Sequence, residues 1–245
     1  MRSFILLNLC SKVTSRCNAV CQTCIHNYME NDLSSVRSNK NGFLDLDYLL
    51  EWMKPALKNT KIFRMYNYGE PFLHKGLEEF CRKINSINDK VEIGISSNGT
   101  SFGTNERIER IINSKIYSII VSLHGGTAET VCKYMGPKFQ FDKAVDNISR
   151  LMAIKRKLGA KYPLVNLKSV LFKWNDSDEE IDSFADLAKR LNVDAYHFVP
   201  TGGKIGTKRY PSGSNEWKQF VAQGLSEVNF SGHDNIEEAI AILDD

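Results

Sequence analysis

Proline and glycine are sparse in this 245-residue chain, at 6 and 16 residues, which excludes a collagenous sequence and argues against a disordered one. No apolar run approaches the roughly 18 residues that span a bilayer. The opening segment, residues 1–10, has too short an apolar stretch and no small-residue cleavage site, so no signal peptide is expected. Charge of one sign is scarce as well. The 32 basic and 29 acidic side chains leave +3, too small a surplus to point to nucleic acid. Neither a membrane nor a nucleic acid is an expected partner. Cysteine is absent after residue 132: all six lie before residue 133, and three of them crowd into eight residues. A disulfide framework is not spread in that way, and clustered thiols fit a reducing, cytoplasmic compartment. What is present is ordinary: 42% hydrophobic and 25% charged residues, in a length that fits one large domain or two small ones.

The apolar pattern alternates between two periods. Short runs rich in β-branched and aromatic residues at 4–9, 61–66, 91–96, 116–122, 164–172 and 194–199 read as strands. Helical spacing lies between them, carried by Leu46, Leu49, Leu50 and Met53, then by Leu77, Phe80, Cys81 and Ile84. Ile108, Ile111 and Ile112 mark a third helix and Phe141, Ala144, Ile148 and Leu151 a fourth. The fifth, on Ile181, Phe184, Ala188 and Leu191, opens with a capping-box signal at Ser177 and Glu180. Six strands and five helices in alternation predict an α/β fold with a parallel sheet. They are used up by about residue 200. The rest, 201–245, carries a Gly-rich loop and two expected helices, around Trp217 and Ile236, that would complete or flank the core of residues 1–200. Segment 25–43 is the one long polar connection, and such loops are more often functional than idle.

Unusual residues fall just past the strand ends. Cys17, Cys21 and Cys24 follow the first strand, Gly69-Glu70-Pro71 the second, and Ser97-Asn98 the third. Ser122 and His124 follow the fourth, Asn175 the fifth, and a Gly-rich loop with Lys204, Lys208 and Arg209 the sixth. Ligands bind at the carboxyl ends of parallel strands, so these loops describe one mouth. Turn chemistry explains any single loop about as well, but not a Gly-Glu-Pro triplet beside three clustered cysteines.

The cysteine spacing is C-x3-C-x2-C. A structural zinc site wants four protein ligands, and only His26 is near enough in sequence to be a fourth. A [4Fe-4S] cluster normally takes four cysteines; three would leave one iron open to a non-protein ligand. A non-catalytic module holding zinc or a cluster is the alternative of another class. An electron carrier fits poorly, because a scaffold of about 200 residues exceeds what a carrier needs. Cys81, on an apolar helix stripe, reads as core; Cys10 and Cys132 have no evident partner.

These residues together resemble the radical S-adenosylmethionine (SAM) enzymes over residues 1–200. Tyr68-Gly-Glu-Pro-Phe-Leu-His74 is similar to that family's Gly-Glu-Pro segment. Ser122–Thr130 and Phe141–Ile148 resemble the subgroup that often carries a SPASM or twitch extension. The resemblance implies a partial (β/α)6 TIM-like barrel. It also implies a [4Fe-4S] cluster on Cys17, Cys21 and Cys24, with SAM chelating the fourth iron. An electron from a flavodoxin- or ferredoxin-like donor would cleave SAM to methionine and a 5′-deoxyadenosyl radical, which removes a hydrogen atom from the substrate. On this reading Glu70 accepts from the methionine ammonium and Gly69 permits close approach of the backbone. Ser97 and Asn98 reach the ribose or methionine, Ser122 the carboxylate, and Leu171 the adenine, while His124 donates to SAM or touches substrate. Peptide maturation is the substrate class favoured by the subgroup, with sugars, nucleosides and small metabolites as the alternative.

Three positions depart from the family pattern. Thr23 stands where an aromatic commonly precedes the last cysteine, and His124 where an Asp is common. Met135 stands where an Arg often clamps the SAM carboxylate, with Lys133 and Lys138 as nearby substitutes. No cysteine follows Cys132, so any Cys-ligated auxiliary cluster must lie outside this sequence.

Overall fold

All six β-branched runs become strands in a computed structural model, which describes residues 7–24, 42–66, 68–201, 204–207 and 209. They are β1 (Leu7–Cys10), β2 (Thr60–Met65), β3 (Glu92–Ser97), β4 (Ser118–Ser122), β5 (Leu164–Leu171) and β6 (Ala195–Pro200). Each pairs in parallel with the next, so spatial order equals chain order. Such an order needs a crossover of the same hand after every strand. The crossovers are α1 (Leu46–Leu57), α2 (Leu77–Ile87), α3 (Asn105–Ile112), α4 (Ala128–Met135), α5 (Phe141–Lys157) and α6 (Asp178–Leu191). Sequence spacing predicts five helices; the described residues hold six, because the β4–β5 connection carries two. Gly136, at φ +96°, stops α4, and Pro137 follows it, so the stretch around Cys132 is a separate helix and not a turn leading into α5. Ser177 caps α6 as expected, its hydroxyl accepting from the Glu180 N–H. The Glu180 carboxylate departs from the capping-box pattern and accepts from Thr130 Oγ1 instead, at 2.8 Å.

Which way the sheet is covered follows from its period-two alternation. Phe63, Met65, Ile93, Ile95, Ile119, Val121, Val165, Leu167, Tyr196 and Phe198 belong to one apolar core shared with the helices. Intervening positions, among them Arg64, Ser96, Ser122, Lys168 and His197, point to the opposite face. A doubly wound sheet would be apolar on both faces. Helices on one face and polar residues on the other describe a sheet curled around an interior, the partial (β/α)6 barrel that the strand–helix alternation and the family resemblance imply.

His26 and the segment around it, and the expected tail helices around Trp217 and Ile236, lie outside the described residues. The first residues of the tail fold back on the β5 loop. The Lys173 N–H donates to the Ile205 carbonyl at 3.1 Å, and Gly206 bridges Phe172. Of the three tail cations, Arg209 pairs with Asp178, Lys204 is exposed, and Lys208 lies outside the described residues. Among the described residues no helix is long and apolar enough to cross a membrane.

One arginine ties the strand-end loops to the helix layer. Arg107 on α3 donates to Glu78 Oε1 at 2.6 Å, to the Ser101 carbonyl at 2.9 Å and to the Phe72 carbonyl at 2.8 Å. Glu78 is 4% exposed, so removing its partner strands a buried charge, at a cost of about 3 kcal/mol. Arg107→Ala is expected to lower Tm by about 6–12 °C in thermal unfolding, with Arg107→Ala/Glu78→Gln losing less than the single variant.

Candidate active site

The cysteine loop is held from three sides. On the β2 side, Glu70 N–H donates to the Arg16 carbonyl at 2.7 Å. Gly69, at φ +95°, lies so close that a Cβ there would stand 2.1 Å from the Thr14 carbonyl oxygen. The close approach that Gly69 permits is thus to the backbone leading into Cys17. From β3, Asn98 Nδ2 donates to Asn18 Oδ1 at 2.8 Å and lies 3.9 Å from Cys17 Sγ, while Asn18 donates to Thr100 Oγ1 at 2.7 Å. The last side is the C-terminal end of α4, whose free carbonyls need donors. Val20 N–H supplies Met135 O at 3.1 Å and Gln22 N–H supplies Tyr134 O at 2.8 Å.

Glu70 sits at the centre of this arrangement, 1% exposed. Its Oε1 accepts from Phe72 N–H at 3.1 Å and Ser97 Oγ at 2.9 Å, and its Oε2 from Asn98 N–H at 2.7 Å. A carboxylate has about four acceptor positions, so one on Oε2 is not used. Burial pushes the Glu70 pKa up to about 7, against the pull of those three donors and of Arg107. Burial likewise raises the Cys17 thiol and takes Cys21 up to about 12, with the neighbouring thiols adding to both shifts. Cys17 and Cys21 thus both feel the Cys24 thiol beside them. Among the described residues, however, no three His, Cys, Asp or Glu side chains gather as ligands of a single ion.

The expected site residues divide into two groups. Cys17, Cys21, Cys24, Gly69, Glu70, Ser97 and Asn98 come together as one unit. Ser97 and Asn98 spend their side chains on Glu70, on the glycine turn behind them and on the cysteine loop. Ser122 lies on the interior face, in register with Lys168 of β5. Leu171 is fully buried in the sheet–helix core, on the face away from the interior. His124, expected to donate to SAM or touch substrate, acts as a latch. At φ +61° and 6% exposed, it accepts the Val170 N–H on Nδ1 at 3.0 Å, which leaves its proton on Nε2. Burial, with Lys168 adding to it, holds its pKa down at about 3. Asn175 fastens the same corner, donating to the carbonyls of His124 and Val170.

Sequence spacing alone missed several contributors. Tyr134 brings an aromatic ring to Thr23, with their hydroxyls 3.2 Å apart; it stacks on Phe172 with centroids 4.4 Å apart. The ring missing before Cys24 is thus supplied from α4. Met135 contributes its carbonyl and keeps its side chain buried. Lys133 is exposed and pairs with Glu129, and Lys138 is exposed, so neither substitute cation reaches the interior. Lys168 does. The signal for it was legible: Asn166 and Lys168 alternate with Val165, Leu167 and Ser169 along β5, which puts both on the interior face.

The family model of the radical SAM superfamily matches residues 11–188. The chain is 30% identical over 186 residues to GTP 3′,8-cyclase of Helicobacter pylori (strain ATCC 700392 / 26695), covering 74% of this chain and 51% of that protein. It is 24% identical over 187 residues to the tungsten-containing aldehyde ferredoxin oxidoreductase cofactor-modifying protein of Pyrococcus furiosus, covering 75% and 48%. The chain therefore spans about half the length of the curated relatives it matches. In fold it is similar to anSMEcpe with bound AdoMet (TM-score 0.57, 20% identity, 81% of this chain and 54% of that one). It is also similar to methylornithine synthase (TM-score 0.56, 14% identity, 86% and 58%). A matched family model over most of the barrel, on a sheet of the same architecture, means that this chain belongs to the radical SAM superfamily.

Proposed function

We propose that this chain binds a [4Fe-4S] cluster through Cys17, Cys21 and Cys24 and cleaves SAM reductively, to take a hydrogen atom from a nucleotide-class substrate. The observation that carries this reading is the joining of Glu70 to the cysteine loop. A buried carboxylate with one unused acceptor position, beside three thiols, suits a cationic amino group and a multi-iron centre side by side.

The donor set fits that group. Three thiols gathered on one loop without converging on one point suit a cluster, in which each cysteine would take a different iron, better than a single zinc ion. Positive charge at the centre would oppose the burial that raises the Cys17 and Cys21 thiols and would favour thiolates there. Bound there, the cluster and SAM would supply one-electron cleavage of the sulfonium C–S bond, with the electron from a flavodoxin- or ferredoxin-like donor. The chain's own residues then orient and exclude water. Glu70 Oε2 accepts from the methionine ammonium, and Ser97 and Asn98 hold that carboxylate in place. Gly69 lets the strap of Thr14–Arg16 lie against the Glu70 loop. Ser122 faces the mouth as a donor for the methionine carboxylate. His124 and Asn175 lock the β4 and β5 ends together under the adenine end of the site, and Tyr134 covers the loop.

For substrate class, the curated relatives support a nucleotide more than a peptide. The H. pylori relative is named for cyclising GTP, and the P. furiosus relative for modifying a cofactor. The peptide expectation drawn from the subgroup resemblance finds no support among them and is not carried forward.

Anaerobic reconstitution with iron and sulfide, followed by reduction with SAM present, is expected to release 5′-deoxyadenosine. Cys17→Ala, Cys21→Ala and Cys24→Ala should each abolish release and lower iron content, while Cys132→Ala keeps both. Cluster-loaded wild type that yields no 5′-deoxyadenosine would refute the reading.

Glu70 makes a pH prediction. Its carboxylate must be ionised to hold an ammonium, so SAM affinity should rise as pH passes from 6 through about 7. Glu70→Gln should flatten that rise and weaken SAM by about 10- to 100-fold, the loss of one charge-assisted hydrogen bond of about 1.5–3 kcal/mol. Without SAM the sign is opposite. Because the folded pKa stands above the ordinary 4.5, the favourable contribution of the protonated group is complete below that value and lost as pH rises through about 7. Denaturant unfolding of the SAM-free protein checks this, with Glu70→Gln removing the slope.

A further inference from the structure

The interior face holds a cation that no described residue neutralises. Lys168 lies on β5 in register with Ser122 of β4 and His197 of β6, so the three side chains form one row across the inner wall near its open end. Among the described residues the Lys168 ammonium makes neither a hydrogen bond nor an ion pair. Glu92 is the one carboxylate on the interior positions of the six strands. Gly94 of β3 is in register with Ser118, and Ser122 with Lys168, which sets Glu92 three two-residue steps down the wall. At about 3.3 Å per residue that is about 20 Å, beyond the reach of either side chain. Glu70 spends its oxygens on the cysteine side of the mouth.

His197 is prepared as the companion of this lysine. It is buried, and its Nδ1 lies 2.9 Å from Asn166 Oδ1, an atom that can only accept. The ring proton is therefore on Nδ1, and Nε2 keeps its lone pair. Nε2 makes no hydrogen bond among the described residues. Burial and the nearby lysine keep the ring neutral, with a pKa of about 3, and burial also pulls Lys168 down from the ordinary lysine value. A half-buried cation without a counter-charge, beside a buried and unpaired acceptor, is unfavourable for folding, and the row has no packing role that an apolar residue would not fill better. Such a cost is retained where a ligand uses it.

We propose that Lys168 and His197 form a subsite for a phosphate group of the substrate, inside the barrel and beyond the SAM-binding residues. Lys168 donates to an anionic phosphate oxygen, and His197 Nε2 accepts from the protonated oxygen or an adjoining hydroxyl. Ser122, one strand nearer the cysteine loop, marks the boundary with the methionine carboxylate. This deepens the nucleotide reading and rests on it for the substrate's identity, but the subsite has its own test.

Inorganic pyrophosphate, GTP, guanosine and SAM are each titrated against wild type, Lys168→Met and Lys168→Arg, with the reconstituted cluster and without it. Lys168→Met is expected to weaken pyrophosphate and GTP by about tenfold or more and to leave guanosine and SAM within about twofold. It should not lower Tm, because a half-buried charge without a counter-charge has gone; Lys168→Arg should retain most of the pyrophosphate binding. Wild type that binds pyrophosphate and GTP no better than Lys168→Met overturns the subsite. So does a parallel loss of SAM affinity, which would assign the lysine to the methionine carboxylate. Protein that takes up no cluster but binds pyrophosphate through Lys168 would sink the radical SAM reading and leave the subsite standing. SAM cleavage without pyrophosphate binding sinks the subsite alone.

Discussion

A carboxylate cannot be taken out of water unless donors meet it, and around Glu70 those donors come from separate parts of the chain. Phe72 N–H belongs to its own loop, while Ser97 Oγ and Asn98 N–H come from the end of β3. The same loop is joined to the cysteine segment through Glu70 N–H and Arg16, and to α3 through Arg107 and the Phe72 carbonyl. Burial of one charge therefore fixes the relative positions of the β2 loop, the β3 loop and the three thiols. A site that must hold a cationic cofactor beside a cluster needs this precision, because charge-assisted contacts lose strength steeply with misplacement. The arrangement is also strained toward its ligand: the carboxyl is held near a pKa of 7, and a cation at Oε2 would relieve it.

The curl of the sheet supplies the second half of the site. Because the described helices pack on one face, the other face is free to carry polar residues at alternate positions. Near the cysteine loop these positions serve the loop itself. Across β4, β5 and β6 they form the row of Ser122, Lys168 and His197. The mouth is thus divided along the strand order, with the cysteine and Glu70 end over β1–β3 and the cationic end over β5 and β6. Tyr134 and Phe172 stack between them, and His124 holds the β4 and β5 ends in register through Val170.

Much of this was legible in the sequence, for physical reasons. Period-two and period-3.6 patterns are local, so β2–β6 and most helices could be placed within a residue or two. C-x3-C-x2-C and Gly-Glu-Pro are contiguous motifs, and their meeting follows from parallel strands presenting their ends on one side. What could not be read was which face a strand-end residue takes and what it spends its atoms on. Leu171 lies at the right level but on the helix side. His124, expected to reach SAM or substrate, is a buried latch, because a left-handed backbone turns its ring inward. Tyr134 replaces a ring missing from the cysteine motif from more than a hundred residues away, which no spacing rule connects. Lys168 was visible in the alternation of β5, yet its lack of a counter-charge among the described residues is a property of the assembled wall.

The central claim is that Cys17, Cys21 and Cys24 hold a cluster whose open iron is reached by SAM beside Glu70. Electron paramagnetic resonance of the reduced, reconstituted protein, with and without SAM, addresses it most directly. SAM bound at the open iron changes that iron's coordination, so the [4Fe-4S]-type signal should shift on addition of SAM, and not on addition of methionine-free 5′-deoxyadenosine. A reduced cluster whose spectrum is unchanged by saturating SAM would contradict the account.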